Sequence, residues 1–144
     1  MLVDEVITRL KTKATELHTR VTGAASYAEM TRSNSLPAVT PAAFVLPLGL
    51  IGGKSDAMTG AFTQELREAI GVVIIIRTHD RAGLKALEDV QSILTEIIAA
   101  IAGWAPTDET GVFTVVRGGM VSMSKGTFVY QLDFSITDQL RILS

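Results

Sequence analysis

Residues 70–104 restrict the possible folds more than any other stretch. Gly71-Val-Val-Ile-Ile-Ile-Arg77 is a β-branched run with no polar alternation. A strand reads this way when both of its faces are covered. The period then changes. Leu84, Leu87, Val90, Leu94, Ile97, Ile98 and Ile101 recur at three- and four-residue spacing, which predicts a helix over residues 81–102 with one buried stripe. Asp80 stands where an N-cap accepts from the free N–H groups of the first turn. Gly103 suits the left-handed position after the last turn, and Trp104 is expected to fold back on Ile98 and Ala99 in a Schellman ending. Pro106 prevents continuation.

The rest of the chain is read around this unit. Val3, Val6, Ile7, Leu10, Ala14, Leu17 and Val21 predict an amphipathic first helix over residues 2–22, with Gly23 as its stop. Asp4 and Glu5 in its first turn and Arg20 in its last suit the helix dipole. Residues 23–42 read as an irregular connection with a short helical turn near 24–31. A connection of that length is uncommon in a compact domain unless it has a function or lies on a neighbour. Residues 44–51 form a strand in which Pro47 predicts an edge position or a bulge. Residues 52–60 read as a flexible Gly-rich loop, and 62–68 as ambiguous: Phe62, Leu66 and Ile70 fit a helix face, and the stretch also fits, as the favoured reading, an early, half-exposed part of the strand at 71–78. Towards the C-terminus come a strand at 112–117, a bend or bulge at Gly118 and Gly119, a continuation over 120–123 and a hairpin turn over 124–127. Phe128, Tyr130, Leu132, Phe134 and Ile136 then alternate with polar residues up to Asp138. The order α, β, β, α, β, β predicts an α+β fold. Its mostly antiparallel sheet has four strands or more, and two helices pack on one face.

Composition bounds the function. At 144 residues the chain is most simply one domain, residues 1–144. The formal net charge is −2 with both signs scattered, which is not a nucleic-acid surface. There is no cysteine, so disulfides, thiol catalysis and thiolate metal sites are excluded. Mean hydropathy is +0.34 with only 19% charged residues. The longest apolar runs fall well short of the ~20 residues of a spanning helix. Asp4 and Glu5 stand where a signal peptide would carry positive charge. The apolarity is therefore expected to be buried against other chains, because large apolar patches mark interfaces.

Candidate chemistry is thin. Gly49-Leu-Ile-Gly-Gly-Lys-Ser55 approaches a phosphate loop, but Gly49 is one residue too close to the Gly-Lys-Ser. The residues after it begin a helix poorly. A small nucleotide-binding protein using this loop is thus a minor alternative. His79 and Asp80 are adjacent on a strand-to-helix turn, where turn and cap explain them better than a catalytic pair. His18 is expected on the polar side of the first helix, and Asp108 and Glu109 in a solvated loop. No residue is assigned to catalysis, a cofactor or a metal.

Over nearly its whole length the chain resembles the tail terminator proteins of long-tailed bacteriophages, of the lambda type. The resemblance rests on the order of its pieces: the amphipathic helix, Pro41-Ala-Ala-Phe-Val-Leu-Pro-Leu48, the β-branched strand, Asp80-Arg-Ala-Gly83 leading into a helix, and Ala102-Gly-Trp-Ala-Pro106. A hairpin into Tyr130-Gln-Leu-Asp-Phe-Ser135 and Arg141 near the end complete it. The resemblance implies a non-enzymatic virion protein without cofactors. It would form a ring, usually a hexamer, on the head-proximal end of the tail tube. Its implied partners are further copies of itself, the major tube protein and a head-completion or connector protein. DNA would pass through the lumen without sequence-specific contact, and no membrane is involved. The implied location is the virion tail, with assembly in the host cytoplasm. Another neck or head–tail connector subunit is the nearest alternative. Asp80, Gly103, Trp104 and Pro106 are expected to be structural. Gly52, Gly53, Lys54, Ser55 and Asp56 are the candidate interface loop.

Overall fold

The computed structural model describes residues 2–57, 60–78, 84–107, 111–124 and 126–143; the side chains of Ala86 and Leu143 are also outside the description. Its elements are α1 (Val3–Lys13), a 3-10 turn (Thr15–Leu17), β1 (Val21–Thr22), α2 (Ala24–Ser33), β2 (Ala42–Asp56), β3 (Ala61–Arg77), α3 (Leu84–Ile101), β4 (Thr114–Ser124) and β5 (Thr127–Leu143). The fold is α+β, as expected. Five strands lie in the order β1-β2-β3-β5-β4. The two-residue β1 runs parallel to β2, and every other pair is antiparallel.

The β-branched run forms the centre. Ile70, Val72, Ile74 and Ile76 point to one face, where they meet Val6, Leu10 and Leu17 of the N-terminal segment and Val90, Ile93, Ile97 and Ile101 of α3. Phe128, Leu132, Phe134 and Ile136 of β5 complete this core. Val73 and Ile75 point to the other face and pack with Phe44 under Tyr27 and Met30 of α2. The Tyr27 and Phe44 rings meet edge to face, with centroids 5.4 Å apart. Both faces of β3 are therefore covered, and a run without alternation is what that position requires. The sequence reading places two helices on one face. The structure adds α2 on the opposite face.

Several boundaries differ from the sequence reading. The first helix ends at Lys13, not near residue 22, because Ala14 leaves helical geometry with φ −93° and ψ 78°. The 3-10 turn follows, and His18 and Thr19 take positive φ. Val6, Leu10, Ala14, Leu17 and Val21 are nevertheless all buried. Their spacing is met by a tighter turn and a bend as well as by a helix, so periodicity alone could not mark the break. The bend lets Val21 pair with Ala43. Gly23 does not stop the first helix but precedes α2 as its N-cap in extended geometry. The segment read as irregular thus holds a three-turn helix, closed by Asn34 in the left-handed conformation.

The stretch read as a Gly-rich loop is mostly strand. β2 runs to Asp56 and pairs with β3 as far as Asp56 opposite Thr63. Its register slips between Pro47 and Gly49 and again between Gly52 and Ser55, so Pro47 does sit at a bulge. The early segment 62–68 belongs to β3, as read. β5 continues beyond Asp138 to Leu143. In β4 the slips fall between Val115 and Arg117 and between Met120 and Ser122, flanking Gly118 and Gly119 rather than on them.

At the end of α3, Gly103 has φ +78°, the conformation expected of it. The hydrogen bonds are not those of a Schellman ending. The Gly103 N–H donates to the Phe113 carbonyl (2.8 Å), the Phe113 N–H donates to the Trp104 carbonyl (3.0 Å), and the Trp104 N–H donates to the Ile101 carbonyl (3.1 Å). The half-buried Trp104 ring stacks on Phe113 at 5.9 Å, and the Arg9 guanidinium lies 5.1 Å from its centroid. Arg9 is held there by donating from Nε to the Ala100 carbonyl (3.0 Å). The helix end is thereby tied both to α1 and to the approach to β4. Asp80 lies outside the described residues.

Gly103→Val is expected to lower stability by at least about 1 kcal/mol, the strain of a β-branched residue in left-handed geometry. Trp104→Ala is expected to cost roughly 2–3 kcal/mol, below the ~3–5 of a fully buried aromatic because the ring is only half covered. Denaturant midpoints at constant m-value would measure both.

Candidate functional site

The described surface has two features that a self-sufficient domain lacks. The first is an uncovered sheet extension. Beyond the helices, residues 48–56 of β2, 61–69 of β3 and 137–143 of β5 form a three-stranded arm. On the face continuous with the α1–α3 core it carries Leu50, Phe62, Leu66, Leu140 and Ile142 interspersed with Ser55, Gln64, Glu68 and Asp138, and Leu50 is 60% exposed. The Leu2 N–H, just before α1, donates to Glu68 Oε1 on the arm (3.3 Å).

The second feature is a pair of open sheet edges. β4 is the last strand of the sheet, exposed along its whole length. Val115, Val116, Met120, Val121 and Met123 are among its exposed residues, and Arg117 is its one charge. At the other side, β1 covers β2 only at Ala43 and Phe44. From residue 46 to 55 the outer side of β2 carries no further strand among the described residues, and Leu48, Leu50 and Ile51 are exposed along it. Proteins usually guard such edges with charge or proline. Here Pro47 and Lys54 are the only such guards over residues 46–55.

Beside β4, on the face that α2 covers elsewhere, lies a polar hollow of about 260 Å³ lined by Arg117, Gly118, Gly119, Met120, Val121, Gln131 and Asp133. Asp133 is buried, with its side chain 8% exposed against 79% for Arg117. Its Oδ2 accepts from Arg117 Nε (3.0 Å) and its Oδ1 from Gln131 Nε2 (2.7 Å). Gly71 makes room for this cluster: a Cβ there would lie 3.3 Å from Asp133 Oδ1, Gln131 Nε2 and Leu48 Cδ1. The one glycine in the β-branched run therefore has a packing reason, which only the cross-strand register reveals. The carboxylate is already satisfied by its two partners, so the cluster positions the β4 edge and offers no reacting group.

The residues singled out from sequence fall as follows. Gly52, Gly53, Lys54, Ser55 and Asp56 form the distal, exposed part of β2 and lie on the arm. They are followed by β3 and not by a helix, so their amides build no phosphate cradle. His18 is exposed, as expected, but in the left-handed residue after the 3-10 turn. His79, Asp108 and Glu109 lie outside the described residues. Pro106 follows Trp104 in the segment leading away from α3. No group of three or more His, Cys, Asp or Glu among the described residues is placed to hold a metal ion. No described helix is long and apolar enough to cross a membrane. Sequence reasoning missed the β4 edge. Its signal was present in the low charge of residues 112–123.

An α+β subunit whose sheet ends in open apolar edges defines a class, proteins that complete their surface against other chains. The comparisons with known proteins narrow this. The model of the phage tail terminator protein family matches residues 1–143, and the chain belongs to that family. A chain in the solved structure of the virion of a native gene transfer agent particle superposes with a TM-score of 0.61 at 13% identity, over 96% of this chain and 95% of that one. At that identity the likeness concerns the fold. No curated protein matches. The protein is thus a structural component of a phage tail.

Gly71→Val is expected to lower stability by about 1–3 kcal/mol through overpacking against Asp133 and Gln131. Arg117→Ala, which removes one of the two hydrogen-bond partners of the buried Asp133 carboxylate, is expected to cost about 1–3 kcal/mol. Thermal or denaturant unfolding of the two variants would check both.

Proposed function

We propose that this chain closes the head-proximal end of a phage tail tube as a ring of identical subunits, without catalysis or cofactor. In this reading the ring stops addition of tube protein and offers its outer side to a head-completion or connector protein. DNA crosses the lumen without sequence-specific contact. Assembly takes place in the host cytoplasm, and the finished ring stays in the virion tail. The observation that carries the proposal is the uncovered arm together with the two open, apolar edges, in a chain of the terminator family.

Two features of the surface support it. The open edges lie at opposite sides of one sheet, so contact between them is heterologous, and a heterologous contact forms a ring when its rotation closes. The arm extends the sheet past the helices and is available for the tube end. A hexamer, which the resemblance to tail terminator proteins implies, is the expected stoichiometry.

The test is tube assembly in vitro. Purified chain added to polymerising tube protein is expected to cap the tubes and give a narrower, shorter length distribution in electron micrographs. Native mass spectrometry of capped ends, or of the concentrated chain, is expected to show the hexamer. Unchanged tube growth, combined with binding to a portal-side protein, would move the chain to another place in the neck.

A further inference from the structure

We infer that the ring is held by strand pairing between copies: the outer edge of β4 in one subunit pairs antiparallel with residues 46–55 of β2 in the next, in one defined register. The inference rests on the ring reading above and names its contact.

Strand direction permits this pairing. β2, β3, β5 and β4 alternate in direction across the sheet, so β2 and β4 run opposite ways. A rotated copy placed beside the first sets its β2 against β4 with the two chains antiparallel, and the alternation continues across the junction.

The bulges select the register. The inner pair β3 and β5 is regular from Ala61 opposite Leu143 to Arg77 opposite Thr127. Both outer strands slip twice. In β2 the extra residues fall at 48–49 and 53–54, and in β4 at Val116 and Val121. With Met120 set opposite Leu50, Val121 meets the first β2 bulge and Val116 the second. Outside the bulges, opposed residues then point to the same face. Val115 stands opposite Ser55, Gly118 opposite Gly52, Met123 opposite Pro47 and Ser124 opposite Leu46. A slip of one residue would set opposite faces together throughout. A slip of two would put the bulges out of step. β1 ends its cover of β2 at Phe44, which is where the neighbour's β4 also runs out at Ser124.

The side chains agree. Met120 and Leu50, both exposed in the single chain, become a cross-strand apolar pair on the α1–α3 face. On the other face, Ile51, 63% exposed, stands opposite Gly119, where a Cβ would meet nothing within 4 Å. Ile51 therefore projects towards the hollow that Gly119, Gln131 and Asp133 help to line. No two like charges stand directly opposite.

The absence of cysteine allows a clean test. Opposed residues of an antiparallel pair bring their Cβ atoms to about 4.5–5.5 Å, close to what a disulfide accepts. Leu50→Cys/Met120→Cys and Ser55→Cys/Val115→Cys are each oxidised in assembled rings and run on non-reducing gels. Covalent ladders reaching the full ring size are expected from both, and at most dimers from each single variant. Leu50→Cys/Gly119→Cys, whose side chains point to opposite faces, should give little ladder. Rings that assemble normally, by native mass spectrometry and microscopy, yet form no ladder with either in-register pair would overturn the edge pairing and leave the ring standing. A wild-type chain that forms no ring, alone or on tube ends, would overturn both. The second in-register pair covers the case in which one double variant does not fold.

Discussion

The uninterrupted pairing of β3 with β5 is the constraint on which the rest of the molecule depends. Two 17-residue strands stay in register from one end of the sheet to the other. At one end, residues 70–76 and 128–134 are buried on the α1–α3 face and support the helices. At the other end the same two strands continue past the helices and become the middle and one side of the arm. Core and arm are therefore one rigid element. A force or a contact at the arm reaches the helical layers without an intervening hinge of irregular backbone.

How much of this was legible in the sequence follows from range. The β-branched run, the α3 stripe from Val90 onward and the alternation of residues 128–136 each have their cause within a few residues, and each was readable. At the start of α3 the reading fails, because Leu84 and Leu87 are exposed and not part of the buried stripe. The break of the first helix was not, because Ala14, Leu17 and Val21 stay buried through a 3-10 turn and a bend. The loop read at residues 52–60 failed for a related reason. Gly52, Gly53, Ser55 and Asp56 have poor strand propensity alone, and what makes them a strand is pairing with residues 63–66 across the hairpin. The purpose of Gly71 was equally hidden, since its neighbours Asp133, Gln131 and Leu48 are distant in sequence.

The assembly surface was half legible. High hydropathy with few charges pointed to apolar surface covered by other chains, but composition cannot place it. The sheet order places it, by leaving β4 outermost and β2 bare beyond Phe44. The Arg117–Asp133–Gln131 cluster then acts as a brace for the β4 edge. Of its two hydrogen bonds, the one from Arg117 joins β4 to β5, and the one from Gln131 holds the Asp133 carboxylate in place within β5.

The unequal distribution of bulges also bears on how such a chain can change its length over generations. The inner strands have no slack: losing one residue in β3 would send every side chain on one side of the gap to the wrong face, emptying the core and burying the polar set. The outer strands already carry surplus residues in β2 and β4, absorbed as local bends. Insertions and deletions are therefore tolerable along the rim of the sheet and lethal at its centre. The lengths of related chains should diverge at the seams between subunits, where a partner can change in step.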